Sequence, residues 1–302
     1  MKSVGQIRFM GHAGIAVQKD NFELLIDPWL WSSTLTKPVI NGFVPPNQGM
    51  GFLPRDSGDQ HSDFQPQLIL LSGFEFTHSP FEEIAAWIAT RPLCLALPEP
   101  DLNQGRLILA ALKPQAFDRV DFRFCLAGQH FQKGPFTIQA HFHPHPQHLI
   151  WEVRCDDFKI LYIPKTPYNR GPDPLVLDIC YEPFAGAKPD FLFIECPGET
   201  KKIVGDKKIE IQEFLTTTPV QTARLVAHIQ PRFVGLVGNS NPDPQKRTHD
   251  YHLPAHVIEE QFQWALYQLC PETKTIGLRS GQKFSIAKND HELQTHLHLS
   301  IT

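Results

Sequence analysis

Four short, almost wholly apolar runs constrain the fold of this chain more than any other feature: LILLS (68–72), LCLALP (93–98), FLFIEC (191–196) and FVGLVG (233–238). Each is too short for a helix of ordinary length, and each is bounded by Pro, Gly, Ser or Asp, so each reads as a buried strand. Helix-start signals stand between them. In SPFEEIAAWIAT, Ser79 is placed to cap, Pro80 to take the first helical position and Glu82 to close a capping box; Thr218, Pro219 and Gln221 repeat that pattern in TTPVQTARLVAHIQ. DLNQGRLILAALKP and LPAHVIEEQFQWALYQL also read as helices. The first thirty residues alternate like hairpin strands, FTIQAHFH and LIWEVRCDDFKILYIPK do the same, and KTIGLRSGQKFSI reads as a closing hairpin. Strands, helices, then strands and helices again suit two sheets flanked by helices, a four-layer αββα sandwich of the α/β class. With no internal repeat, low-complexity run or separating linker, residues 1–302 are expected to form a single domain.

Composition bounds the function. The chain is 41% hydrophobic and 20% charged, as soluble globular proteins are, and a net charge of −4 leaves no electrostatic footprint for nucleic acid. No apolar stretch reaches the roughly 18–20 residues that span a bilayer, and the opening residues lack the charged-then-apolar run expected of a signal peptide. The six cysteines (94, 125, 155, 180, 196, 270) are dispersed without a Cys-x-x-Cys pair, so reduced thiols in the cytoplasm are expected. Nucleophile elbow, phosphate loop and dinucleotide fingerprint are all missing from the sequence. A small molecule or another protein is therefore the expected partner, with neither nucleic acid nor membrane.

The 15 histidines are more informative. His141, His143 and His145 alternate, which in an extended segment puts them on one face and Phe142 on the other. Pro144 and Pro146 remove ladder donors, so the chain should leave the sheet there. A His-x-His on a strand edge is a good start for zinc or iron; the plainer reading is a loop whose histidines make ordinary hydrogen bonds. The same balance holds at LILLSGFEFTHSP, where Glu75 and His78 follow a buried strand.

Taken in order, IRFMGHAGIAVQKDNFELLIDPWL, LILLSGFEFTHSP, FTIQAHFHPHPQH, KILYIPKT and PRFVGLVGNSNP resemble the five motif regions of the metallo-β-lactamase-fold superfamily, most closely its lactonase-like and sialic-acid-hydroxylase-like branches. The resemblance runs from about residue 5 to 285. It implies the αββα fold and a site at these motifs, where His-x-His-x-Asp-His, a downstream His, the Asp of Gly-Asp-Thr and a final His hold two metals. Here the matching positions read differently. Gly73 stands for the first His, Glu75 for the second, Thr77 for the Asp and His78 for the last His. Lys165 stands for the bridging Asp, and Gly238, Asn239 and Ser240 lie near the final His.

These replacements have physical weight. Glycine offers no donor, and an ammonium between two dications would be repelled by several kcal/mol. That argues against a standard dinuclear zinc centre. Lys165 and Glu75 would instead form an internal ion pair in a metal-free pocket, and Lys165 would suit an anionic small molecule. Two functions follow from the resemblance. One is a pseudoenzyme or metal-independent binding protein. The other is a metal-dependent hydrolase or iron oxygenase with one iron or zinc held by Glu75, His78 and members of the set His141, His143 and His145. Flavodiiron proteins, with His-x-Glu-x-Asp-His, give Glu75 a precedent. By the same resemblance His12 in GHAG is a hydrogen-bonding or catalytic neighbour, Asp27 in IDPW orients the adjoining loop, and Asn239 is a substrate-contacting polar group.

Overall fold

A computed structural model describes residues 2–11, 13–28, 52–53, 64–74, 81–112, 114–144, 147–164, 181–196, 199–204, 210–214, 217–238, 241–242, 250–252, 255–278, 282–289 and 292–298. The strands are β1 (Lys2–Gly11), β2 (Gly14–Lys19), β3 (Phe22–Ile26), β4 (Phe52–Leu53), β5 (Leu68–Leu70), β6 (Leu93–Pro98), β7 (Val120–Cys125), β8 (His130–Lys133), β9 (Phe136–Phe142) and β10 (Leu149–Arg154). Then come β11 (Lys159–Ile163), β12 (Phe191–Glu195), β13 (Glu199–Val204), β14 (Glu210–Phe214), β15 (Phe233–Val237), β16 (Asn241–Pro242), β17 (Asp250–His252), β18 (Lys274–Ile276), β19 (Lys283–Asn289) and β20 (Glu292–His298). Among the described residues four α-helices accompany them: α1 (Phe81–Thr90), α2 (Leu102–Ala111), α3 (Pro219–Ile229) and α4 (Ala255–Leu269). Most strands gather into two large sheets, and the chain divides into two compact units.

The first unit takes residues 1–32, 56–159 and 278–302. Its eight-stranded sheet has the order β20-β19-β1-β2-β3-β5-β6-β7. The N-terminal hairpins pair antiparallel, whereas β3, β5, β6 and β7 run parallel. A parallel neighbour needs a crossover, and α1 supplies one between β5 and β6. Its Ile84, Trp87 and Ile88, at helical spacing, face a core with Leu25, Ile69, Leu71, Leu95 and Leu97. Fully burying such side chains contributes about 1.5–3 kcal/mol each. Helix α2 begins at a capping box, Asp101 accepting the Gln104 N–H at 2.8 Å while the Gln104 side chain accepts the Asp101 N–H at 2.8 Å. Strands β8, β9 and β10 form an antiparallel meander in the same unit.

The second unit takes residues 33–55 and 160–277. Strands β18, β15, β12 and β11 lie parallel in that order, joined through crossovers that include α3 and α4. Helix α3 starts as its sequence predicts, Thr218 accepting the Gln221 N–H at 3.1 Å and Gln221 returning the bond to Thr218 N–H at 2.9 Å. The equivalent start at Ser79 and Pro80 lies outside the described residues. Small sheets β14-β13-β17 and β16-β4 complete the unit.

One expectation is corrected. KTIGLRSGQKFSI is not a hairpin: β18 pairs parallel with β15, while β19 pairs antiparallel with β1 and turns back into β20. Alternation of apolar residues marks a strand without naming its partner, and here the partners lie far off in sequence.

Candidate functional site

Each unit has buried polar groups at the ends of apolar strands, Asp27 and Ser72 in the first and Glu195 in the second. In the first unit β3 stops at Ile26 because Asp27 adopts a left-handed backbone, φ 43°. Asp27 is fully buried. Its N–H donates to the Leu70 carbonyl at 2.9 Å, and its carboxylate accepts the Ser72 N–H at 2.7 Å together with the Ser72 hydroxyl. The Ser72 carbonyl in turn accepts the Leu149 N–H at 2.8 Å, tying the end of β5 to the start of β10. A buried carboxylate is costly unless hydrogen-bonded, and these bonds hold Asp27 against the end of β5. Ser72 is thus the described hydrogen-bonding partner of the Asp27 carboxylate.

Gly73 comes next, and its missing side chain has a use. A Cβ there would lie 2.5 Å from Nε2 of His148 and 2.6 Å from its Cδ2. The imidazole of His148 therefore fills the place that a side chain at position 73 would take. His143 packs beside it, ring centroids 5.5 Å apart and planes tilted by 38°, and both imidazoles are buried. Strand β9 ends at Phe142, as Pro144 requires, and His143 then turns inward.

His141 has different company. Still within β9, its Nε2 lies 3.6 Å from Oε2 of Glu152 on β10, and the Arg154 guanidinium bonds the same carboxylate. Burial would push this carboxyl up; the His141 and Arg154 bonds outweigh it and bring the carboxyl down to about 2. Phe142 is exposed between the two histidines. The alternation of His141 and His143 on either side of Phe142 is thus kept, but the described contacts of the two imidazoles go to different partners.

In the second unit, β12 ends at the buried Glu195 and β15 at Val237, with Gly238 just beyond. Gly238 has φ 79°, and a Cβ there would stand 2.8 Å from Oε1 of Glu195. The carboxylate lies over the glycine much as His148 lies over Gly73. Cys196 follows, its N–H donating to Val237 O at 2.9 Å. Burial pushes its thiol to about 12, and those of Cys94 and Cys125 to about 11. None of the three is a nucleophile near neutral pH, and the five described cysteines are all free of disulfides.

His12, Glu75, His78, His145, Lys165 and Asn239 lie outside the described residues. Among the described residues no three His, Cys, Asp or Glu side chains are grouped to hold a metal ion. Two buried polar residues at strand ends were not singled out from the sequence. Glu195 had a signal, an acid closing an apolar run. His148 belonged to the histidine-rich stretch, but its importance comes from its position over a glycine far away in the chain.

No family model matches this chain, and no curated protein matches it. Solved structures do. The metallo-β-lactamase fold protein YhfI from Bacillus subtilis superimposes with a TM-score of 0.58 at 14% identity, covering 93% of this chain and 99% of that one. Igni18, a metallo hydrolase from Ignicoccus hospitalis, gives 0.56 at 11%, covering 94% and 99%. CmlA, a diiron β-hydroxylase from Streptomyces venezuelae, gives 0.55 at 13%, covering 94% of this chain, which spans about half of CmlA (54%). An α/β protein built on two large sheets, with polar groups at the ends of its buried strands, is the class these observations define. Its fold is the metallo-β-lactamase fold, as the order of sequence motifs implied.

Of the motif positions that the resemblance picks out, 73 and 238 lie among the described residues. Position 73 has no donor, and His148 holds the space a ligand side chain would need. Gly238 likewise has no donor, and Glu195 covers it. The other motif positions, Glu75, Thr77, His78 and Lys165, lie outside the described residues.

Proposed function

We propose that this protein is a metallo-β-lactamase-fold pseudoenzyme, a binding module whose strand-end pocket is occupied by its own side chains. The observation that carries the reading is the imidazole of His148 packed where a side chain at position 73 would be. A mere loss of ligands would leave a hole, and a hole of that size costs stability. Filling it with a buried ring is what a site maintained without metal would look like. Lys165 and Glu75 extend the idea as an internal ion pair, and the ligand class Lys165 suits is an anionic small molecule. Cytoplasmic residence accords with the free thiols; no described helix is long and apolar enough to cross a membrane.

A second reading rests on the same two rings. Buried imidazoles with centroids 5.5 Å apart are near enough to serve as two ligands of one iron or zinc, with Glu75 and His78 as the others. Elemental analysis of protein purified without chelator, paired with thermal unfolding in chelator, separates the two. The first reading expects substoichiometric metal and an unchanged melting temperature. Near-stoichiometric iron or zinc that is lost in His78→Ala would overturn it in favour of a mononuclear centre.

A further inference from the structure

Strand β7 closes one side of the eight-stranded sheet, with β6 as its only neighbour among the described strands. An open strand edge is a template for pairing with another chain, and proteins commonly blunt it with charge, proline or a bulge. This edge carries charge of both signs, two residues apart, and keeps its aromatics. Val120, Phe122 and Phe124 alternate on one face, where Val120 and Phe122 pack partly against the helix-side core and Phe122 stacks on Phe124 at 5.9 Å. Phe124 is 50% exposed, and Leu126, just beyond the strand, 53%. Asp121 and Arg123 alternate on the other face. Their side chains meet at 3.3 Å, Lys133 reaches Asp121 at 3.1 Å, and the Arg123 guanidinium lies 4.8 Å over the Phe131 ring.

We infer that β7 is a self-association edge that takes a second copy of this chain by antiparallel strand pairing about Phe122. Placing the two-fold axis at Phe122 sets Asp121 of each copy opposite Arg123 of the other, two ion pairs made by one symmetry operation. It also sets Val120 opposite Phe124 and Phe122 opposite itself, so the half-exposed Phe124 is covered on its own face. Residues directly opposite in an antiparallel pair point to the same face, so the charged and apolar faces match at once. A run of one sign along this edge would repel a copy of itself; the Asp-x-Arg order is self-complementary, as an isologous dimer requires. The occupant is a second copy rather than an unrelated strand because the complementarity is with β7's own sequence.

Sedimentation velocity on the full chain, over a concentration series, tests the pairing. Wild type should show a reversible monomer–dimer equilibrium that weakens with salt. Arg123→Asp places Asp opposite Asp twice and should weaken dimerisation about tenfold or more. The exchange Asp121→Arg with Arg123→Asp restores opposite charges and should recover most of that loss. Circular dichroism checks that each variant is folded; if Arg123→Asp is not, Phe124→Lys serves in its place with the same expected weakening. A wild type that stays monomeric throughout would overturn the inference, as would a dimer that folded Arg123→Asp or Phe124→Lys leaves unchanged.

Discussion

At the scale of single residues, Gly73 and His148 act as one unit. The glycine needs no special backbone angle; what it supplies is room. Adding a methyl group by Gly73→Ala puts Cβ within 2.5 Å of a buried imidazole nitrogen, so ring or backbone must shift, at a cost of about 1–3 kcal/mol for overpacking. Removing the ring by His148→Ala leaves a cavity and is destabilising on its own account. Made together, the two changes should cost less than the sum of the single costs, because the added methyl no longer meets the ring. A double-mutant cycle by urea denaturation reads the coupling directly, and additive effects would show that the close approach carries no energy. The sequence shows the glycine but not the imidazole packed against it, because the two residues meet only after β5 and the β9–β10 turn are folded side by side.

At the scale of elements, the paired strands β9 and β10 hold a charge network whose pH dependence can be worked out. Glu152 falls from an ordinary carboxyl value of 4.5 to about 2 in the folded protein. A group whose folded pKa is depressed stabilises the fold above its unfolded pKa and loses that contribution as the pH falls. The stabilisation from Glu152 is therefore complete above about pH 4.5 and fades between there and pH 2, and it amounts to about 3 kcal/mol at most. Glu152→Gln should lower the urea midpoint at neutral pH and flatten the acid limb in that window, measured as midpoint against pH. An unchanged acid limb would mean that His141 and Arg154 do not hold this carboxylate. Elements are also where the sequence was most readable. The Thr218 capping box is present as its Thr-Pro-x-Gln string predicts, and the Asp101–Gln104 box carried the same kind of local signal. Both are interactions across three residues. The false hairpin at 274–286 failed for the opposite reason, since strand partnership is a long-range choice that period-2 patterning leaves undetermined.

At the scale of the whole molecule, the order of buried runs and helix starts was enough to indicate the fold, because two sheets with flanking helices are among the few ways to cover such runs. The site was less legible, since its buried polar groups stand over glycines contributed by other strands. The first unit shows what else a linear reading passes over: its sheet takes in strands far along the chain from β1. Strand β19 lies between β1 and β20, pairing with β1 from Lys2 to Arg8. Phe284, Ile286 and Ala287 are buried there. The N-terminal hairpin thus cannot complete its sheet until residues 283–289 have been made, and pairings so distant in sequence are slow to form. A chain ending after Gly277 would expose one edge of β1 and lose those buried apolar side chains, about 1.5–3 kcal/mol for each large one. Against a total stability of about 5–15 kcal/mol, that loss and the open edge should be enough to unfold the first unit. The truncated chain is expected to aggregate or bind the dye ANS and to lose its near-ultraviolet circular dichroism, whereas a cut after His298 should leave the spectrum of the full chain. A cooperative, wild-type-like unfolding transition in the truncated chain would show that β19 only decorates a sheet that is already stable without it.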